Sequence, residues 1–183
     1  MTERVQMVGD PARPTRLVED PADIDEPKLS FFLSYWRTKR GQSTLPLRSS
    51  FAPRDVRSNL SWVVVIDALP EYTDFRYRVV GTRVADYFLG DGTGKTVRQA
   101  FGGVNSELVE GTLRIYRHTC VERIPIRLSG PATVHKNIYF PKYDSLYLPY
   151  SSDGENADRL LSIFTFNPQK LVATRSAELL HSV

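Results

Sequence analysis

Apolar positions along this chain change period several times, and each change marks an element. Leu29, Phe32, Leu33 and Trp36 recur at helical spacing, with Phe31 and Tyr35 beside them. Pro27 stands where a helix opens and a missing N–H costs nothing. Arg37, Lys39 and Arg40 crowd the final turn, where they suit the negative end of the helix dipole, and Gly41 follows as a C-cap. The pattern predicts a helix over 27–41. Its apolar face must pack on its own domain or on the same helix of a second subunit. Ahead of it, residues 1–26 are rich in Pro, Asp and Arg and poor in large apolar groups, which predicts a flexible arm.

Beyond the helix the period shortens. "APRDVRSNL" reads as a short helix, and Trp62–Leu69 is apolar on both faces, as in a central strand. In Asp74–Val80, Phe75, Tyr77 and Val79 alternate with Arg76, Arg78 and Val80. The turn "PEYTD" joins these two runs into an antiparallel hairpin. Gly81 ends the second strand, and Thr82 caps a short helix through Phe88. A glycine loop, a helical turn over Thr96–Phe101 and a longer helix over Ser106–His118, capped by Asn105, come next. Strand patterns then return at Ile124–Leu128, Thr133–Phe140, Tyr143–Ser151 and Arg159–Phe166, separated by "SGP", "PKYD" and "SSDGEN". A short helix around Leu171–Leu180 closes the chain. Helices set between a hairpin and a meander predict an α+β domain with one antiparallel sheet.

Composition narrows the function classes. The 183 residues are 41% hydrophobic and 25% charged, the balance of one ordinary globular domain. The longest apolar run, Trp62–Ile66, is too short to span a bilayer, and no secretory signal is visible at the N-terminus, so a cytoplasmic location is expected. A single cysteine, Cys120, allows neither an intrachain disulfide nor a thiolate zinc site. The net charge of +3 is too small to imply nucleic-acid binding. Basic residues gather between Arg37 and Arg57; they read as a solvated surface or as a patch for an acidic partner.

Six segments in this order carry a family likeness: "YWRTKRG" (35–41), "LPLRSSFAP" (45–53), "VVVIDA" (63–68), "FRYRVVGTRV" (75–84), "DGTGKTV" (91–97) and "LYLPYSSDG" (146–154). On these the chain resembles the PAS_5 group, a bacterial family of small PAS-like proteins. Tyr150 is a departure, because family members more often carry leucine after this proline. The resemblance implies a PAS-like fold: a five-stranded antiparallel sheet, short helices on one face and an N-terminal flanking helix. The domain would span 27–168, with a partly helical tail over 169–183. The resemblance also implies a sensory or protein-interaction role without catalysis, and it brings no shared cofactor with it.

In such a fold the space between sheet and helices is the natural small-molecule site. The candidates to line it are Tyr77, Arg78, Tyr87, Tyr116 and His118. An arginine on either face of the sheet needs a partner, so Arg78 is expected to pair with an acidic residue such as Asp67 or to anchor an anionic ligand. His118 closes the long helix, where a histidine serves the dipole; a haem-ligand role exists by analogy alone, and haem is not expected. A flavin photosensor of this type would need a reactive cysteine in a motif that the neighbours of Cys120 do not provide. Phe31, Phe32, Tyr35 and Trp36 are the candidates for docking a protein partner or a second subunit, and the output is expected to travel by such contact. A ligand-free adaptor is the main alternative.

The rival of another class is a nucleotide-binding enzyme. "GDGTGKT" (90–96) ends in the Gly-Lys-Thr of a phosphate loop, but the required earlier glycine falls on Leu89 and no strand feeds the loop. No hydrolase elbow or zinc-protease motif is present, and His118, His135 and His181 have no partners at metal-ligand spacing.

Overall fold

The computed structural model describes residues 16–87, 90–101, 103, 106–134 and 138–170, with backbone alone for 131–134, 138–142 and 167–170. Pro27 opens the first helix, α1 (Pro27–Arg40), and the Glu26 carboxylate caps it by accepting from the Leu29 amide at 2.8 Å. Gly41 ends it at φ 56°, a conformation that costs glycine little. Leu29, Phe32, Leu33 and Trp36 are buried, as their spacing predicts.

After short 3₁₀ turns at Arg48–Ser50 and Pro53–Trp62 the chain forms the hairpin β2 (Val63–Ala68) and β3 (Phe75–Val80). Three helices follow: α2 (Thr82–Tyr87), α3 (Val97–Phe101) and α4 (Ser106–Glu122). Then come three long strands, β4 (Ile126–Val134), β5 (Ile138–Ser151) and β6 (Ala157–Lys170). With the short strand β1 (Arg16–Glu19) they build one antiparallel sheet in the order β1-β4-β5-β6-β2-β3. The first hairpin thus lies beside the last strand, which the chain reaches only after the helices and meander.

Three expectations are corrected. The sheet has six described strands rather than five. The extra one comes from the expected arm, where Arg16–Glu19 pairs with Ile126–Ser129 of β4. Four residues with two half-buried apolar side chains carry too little pattern to announce a strand; the free edge of β4 supplies the hydrogen bonds. Nor does "PKYD" make a turn: β5 runs straight through it. The register against β6 shifts between Tyr139 and Lys142, and Pro141 is accommodated at that irregularity. The expected Asn105 cap, the end of the α2 helix at Phe88 and the C-terminal helix lie outside the described residues.

Helices cover both faces of the sheet. On the inner face α4 packs against β5 and β6, and its Tyr116 ring meets Tyr147 of β5 at 5.6 Å. On the outer face α1 lies over the same two strands. There the Trp36 indole N–H donates to the Pro149 carbonyl at 2.7 Å, and Phe51 bridges the rings of Tyr35 and Tyr150. The N-terminal helix is therefore part of the domain's own core. Arg127 and Asp144 form a two-pronged ion pair on this outer face, at 2.9 and 2.8 Å, with the Asp144 side chain 4% exposed. The exposed Asp25 adds a third contact to the same guanidinium.

One glycine is fixed by close approach. A Cβ on Gly81 would lie 2.5 Å from the Ser61 carbonyl oxygen and 2.6 Å from that of Leu60. Its amide donates to the Val63 carbonyl, tying the end of β3 to the start of β2.

Candidate functional site

Register and alternation decide which side chains meet inside. Tyr147 pairs with both Ile126 and Ser162, and Tyr143 pairs with Phe166, so these project to the inner face together with Ser145, Leu128 and Phe164. Phe75 and Tyr77 of β3 join them, and α4 supplies Tyr116, whose ring meets that of Phe75 at 5.3 Å. Tyr77, Tyr116, Tyr143 and Tyr147 are all buried, as are Ser145 and Ser162.

The hydroxyls in this layer bond to one another. Tyr77 pairs with Tyr116, and Tyr143 with Tyr147. Ser145 donates to the Tyr147 oxygen at 3.2 Å. Burial pushes all four phenols above the ordinary tyrosine range, so they remain uncharged donors and acceptors. One hydroxyl is left over: Ser162 Oγ is buried and has no hydrogen-bond partner among the described residues. The layer can therefore bind and orient polar groups. It contains no nucleophile–base pair, and Cys120 on α4 is buried with its thiol pushed up to about 12, which makes it inert.

Two of the sequence candidates, Tyr77 and Tyr116, lie together at the centre of this layer. Tyr87 reaches its rim, where its ring meets Phe166 at 5.3 Å. Arg78 does not belong to it. Alternation along β3 puts it on the outer face, where its guanidinium pairs with Asp67. Arg159 holds the same carboxylate at 2.7 Å. Burial opposes the charge on Asp67, but the hydrogen bonds from Arg159 and Arg78 outweigh it and hold the carboxyl below its usual range. The expected pairing with Asp67 is therefore present, and it faces away from the helices. His118 is also outside: two residues on from Tyr116 is a rotation of about 200° around α4. Its Nε2 meets Glu19 of β1 at 2.8 Å.

The docking candidates also separate. Phe32 and Trp36 are buried against the sheet and present nothing to a partner, because the outer sheet face claims the apolar stripe of α1. Phe31 is 43% exposed and stacks on the half-buried Tyr35. The Tyr35 hydroxyl is engaged by the Ala52 amide and by Asp55.

Sequence reasoning missed Tyr143, Ser145, Tyr147, Ser162 and Phe164. Their signal was present as alternation: Tyr143, Ser145 and Tyr147 are spaced by two, as are Ser162, Phe164 and Phe166. Alternation marks the two faces of a strand but does not say which of them α4 covers.

The glycine loop has no phosphate cradle. Four successive amides donate within the protein: Thr93 to Asp91, Gly94 to the Tyr77 carbonyl, Lys95 to the Gly92 carbonyl, and Thr96 to Gln99. Phosphate binding needs such amides free. Among the described residues, no three His, Cys, Asp or Glu side chains group as a metal site, and no helix is long and apolar enough to cross a membrane.

This architecture has a counterpart among known families. The family model for a PAS domain, PAS_5, matches residues 24–165, most of the chain. The chain belongs to the PAS_5 family of PAS domains. Membership accounts for the sheet order, in which the first hairpin sits beside the last strand, and for the helices that the chain places between them. Among solved structures, an RNA-binding light-oxygen-voltage receptor is similar at 13% identity, with a TM-score of 0.45. The likeness covers 85% of this chain and 40% of that one. No curated protein matches. PAS_5 membership fixes the fold and supports a sensory class of protein; the ligand and partner have to be argued from the residues.

Proposed function

We propose that this PAS domain is a sensory module. It takes a small molecule between α4 and the sheet, passes the change to a protein partner by contact, and catalyses nothing itself. The observation that carries this reading is the buried hydroxyl layer. An interior whose sole task was stability would gain more from apolar side chains than from phenols and serines that each need a partner. α4 is also tied by side chains to two separate parts of the sheet. Its Arg117 donates to the Tyr72 and Thr73 carbonyls in the β2–β3 turn, and its His118 holds Glu19 of β1. A ligand that shifted α4 would move both ends of the sheet, a change that a partner could read.

The exposed Phe31, stacked on Tyr35, supports a partner or second-subunit contact on α1. If the interior proves to hold no ligand, the domain is an adaptor acting through that face. The composition and PAS_5 membership favour the cytoplasm as its place of work.

A native mass spectrum of the purified full chain tests the ligand half of this reading. A bound small molecule, together with slowed hydrogen exchange in α4, is the expected result. A bare mass with no ligand-dependent exchange would leave the adaptor. Phe31→Glu tests the contact half: it should lower the observed molar mass or abolish partner capture without altering the melting temperature. An unchanged mass and unchanged capture would end that part of the reading.

A further inference from the structure

We propose that the inner layer accepts a small, uncharged, hydrogen-bonding molecule with the chemistry of a phenol or alcohol, and that Ser162 Oγ is its anchor. This inference rests on the sensory reading above and names the ligand class for that site.

Ser162 is fully buried, and its hydroxyl has no partner among the described residues. It stands directly opposite Tyr147 on one side and Val64 on the other, so its side chain points into the layer beneath α4. Ser145, on the same face, spends its own hydroxyl on Tyr147. A buried hydroxyl left unpaired costs stability, and in a layer that already gathers hydroxyls and aromatic rings beneath a helix a ligand group supplies the missing bond.

The neighbouring side chains set the ligand's charge. The phenols of Tyr77, Tyr116, Tyr143 and Tyr147 are neutral. Arg78 and His118, the cations expected from sequence to face the ligand, are paired with Asp67 and Glu19 outside the layer. A carboxylate entering here would lose its hydration without meeting a cation, and the buried Asp74, whose charge reaches Tyr77, already accepts from the Phe75 amide at 2.7 Å, so an ammonium would recover only part of the hydration it gave up. A neutral molecule carrying one or two hydroxyls would exchange water for Ser162 and the phenols at little cost. The rings of Tyr116, Tyr147 and Phe164, with centroids 5.6 and 6.2 Å apart along the row, offer edges and faces that suit a flat or compact apolar body.

The test is an NMR titration of the full chain with phenol, benzyl alcohol, benzoate and benzylamine. It uses wild type, Ser162→Ala and Arg78→Ala. Phenol or benzyl alcohol should shift the signals of Ser162, Tyr147 and α4, with benzoate and benzylamine at least about tenfold weaker. Ser162→Ala should weaken the neutral probe several-fold, the effect of one lost hydrogen bond, while the ligand-free melting temperature holds or rises. Arg78→Ala should leave the affinity for the neutral probe unchanged. Benzoate or benzylamine binding the layer as tightly as phenol would overturn the class, and unaltered phenol affinity in Ser162→Ala would overturn the anchor. In both outcomes binding persists and the sensory reading stands. If no probe binds and the native mass spectrum carries a charged molecule, the class alone falls. If no probe binds and the spectrum is bare, both fall together.

Discussion

A second buried hydroxyl without a partner among the described residues, on Tyr150, sits on the opposite face of the sheet, between β5 and the aromatic residues Phe51 and Tyr35. Its phenol adds an oxygen to a face packed by apolar and aromatic side chains. Desolvating a hydroxyl without replacing its bonds costs about 1–3 kcal/mol. Tyr150→Phe is therefore expected to raise stability by about 1 kcal/mol, read as an increase in the urea midpoint. Asp67 predicts a pH effect of definite sign. Its carboxyl is held below the ordinary aspartate range, so its contribution is present above that range and is lost as pH falls through the lower folded value. Wild type should lose stability below about pH 4 more steeply than Asp67→Asn, which should be less stable than wild type at neutral pH. Equal acid slopes in the two proteins would mean that the Arg78–Asp67–Arg159 group contributes nothing.

At the scale of elements, the junction of β3 and α2 depends on a backbone approach that admits no side chain. Ala at position 81 would drive its methyl into the Ser61 and Leu60 carbonyls, and backbone atoms cannot rotate aside as a side-chain tip can. Gly81→Ala should cost about 1–3 kcal/mol, measured by denaturant unfolding. The Arg127–Asp144 pair secures β4 to β5 in the same way. Removing one partner of a buried pair leaves the other unpaired, so Arg127→Ala should destabilise by about 3 kcal/mol. Element identity was largely legible beforehand. The helix over 27–41, the hairpin around "PEYTD" and the helix from Ser106 all read from periodicity, because each buries one face. β1 was illegible for the opposite reason, since its order comes from the edge of β4. The "PKYD" segment misled because proline and charge read as a turn, whereas the bulge against β6 lets the strand continue.

For the molecule as a whole, the tyrosine layer sets an alkaline limit. Burial raises the folded values of six of the nine tyrosines above the ordinary tyrosine range, the half-buried Tyr72 and the buried Tyr77, Tyr116, Tyr143, Tyr147 and Tyr150, and the last five are enclosed by the fold. The folded state therefore holds protons that the unfolded chain releases. Their contribution is complete below about pH 10 and is lost as pH rises through the folded values. Spectrophotometric titration should show these five ionising together with loss of far-ultraviolet circular dichroism. A smooth titration of all nine in the folded protein would contradict the burial described.

Periodicity and composition alone determined the class of the domain, the identity of its helix over 27–41, its first hairpin and its long helix, and the apolar stripe of α1, because those depend on local spacing and on which residue types can be buried. Only the tertiary structure decided the site. Whether Arg78 and Tyr77 share a face with a ligand depends on strand register and on which side α4 covers. Whether Phe32 and Trp36 meet a partner or the chain's own sheet depends on packing between residues more than a hundred positions apart, such as Trp36 and Pro149. Such long-range contacts carry no local pattern, so the hydroxyl layer came into view only when β5, β6 and α4 were brought together.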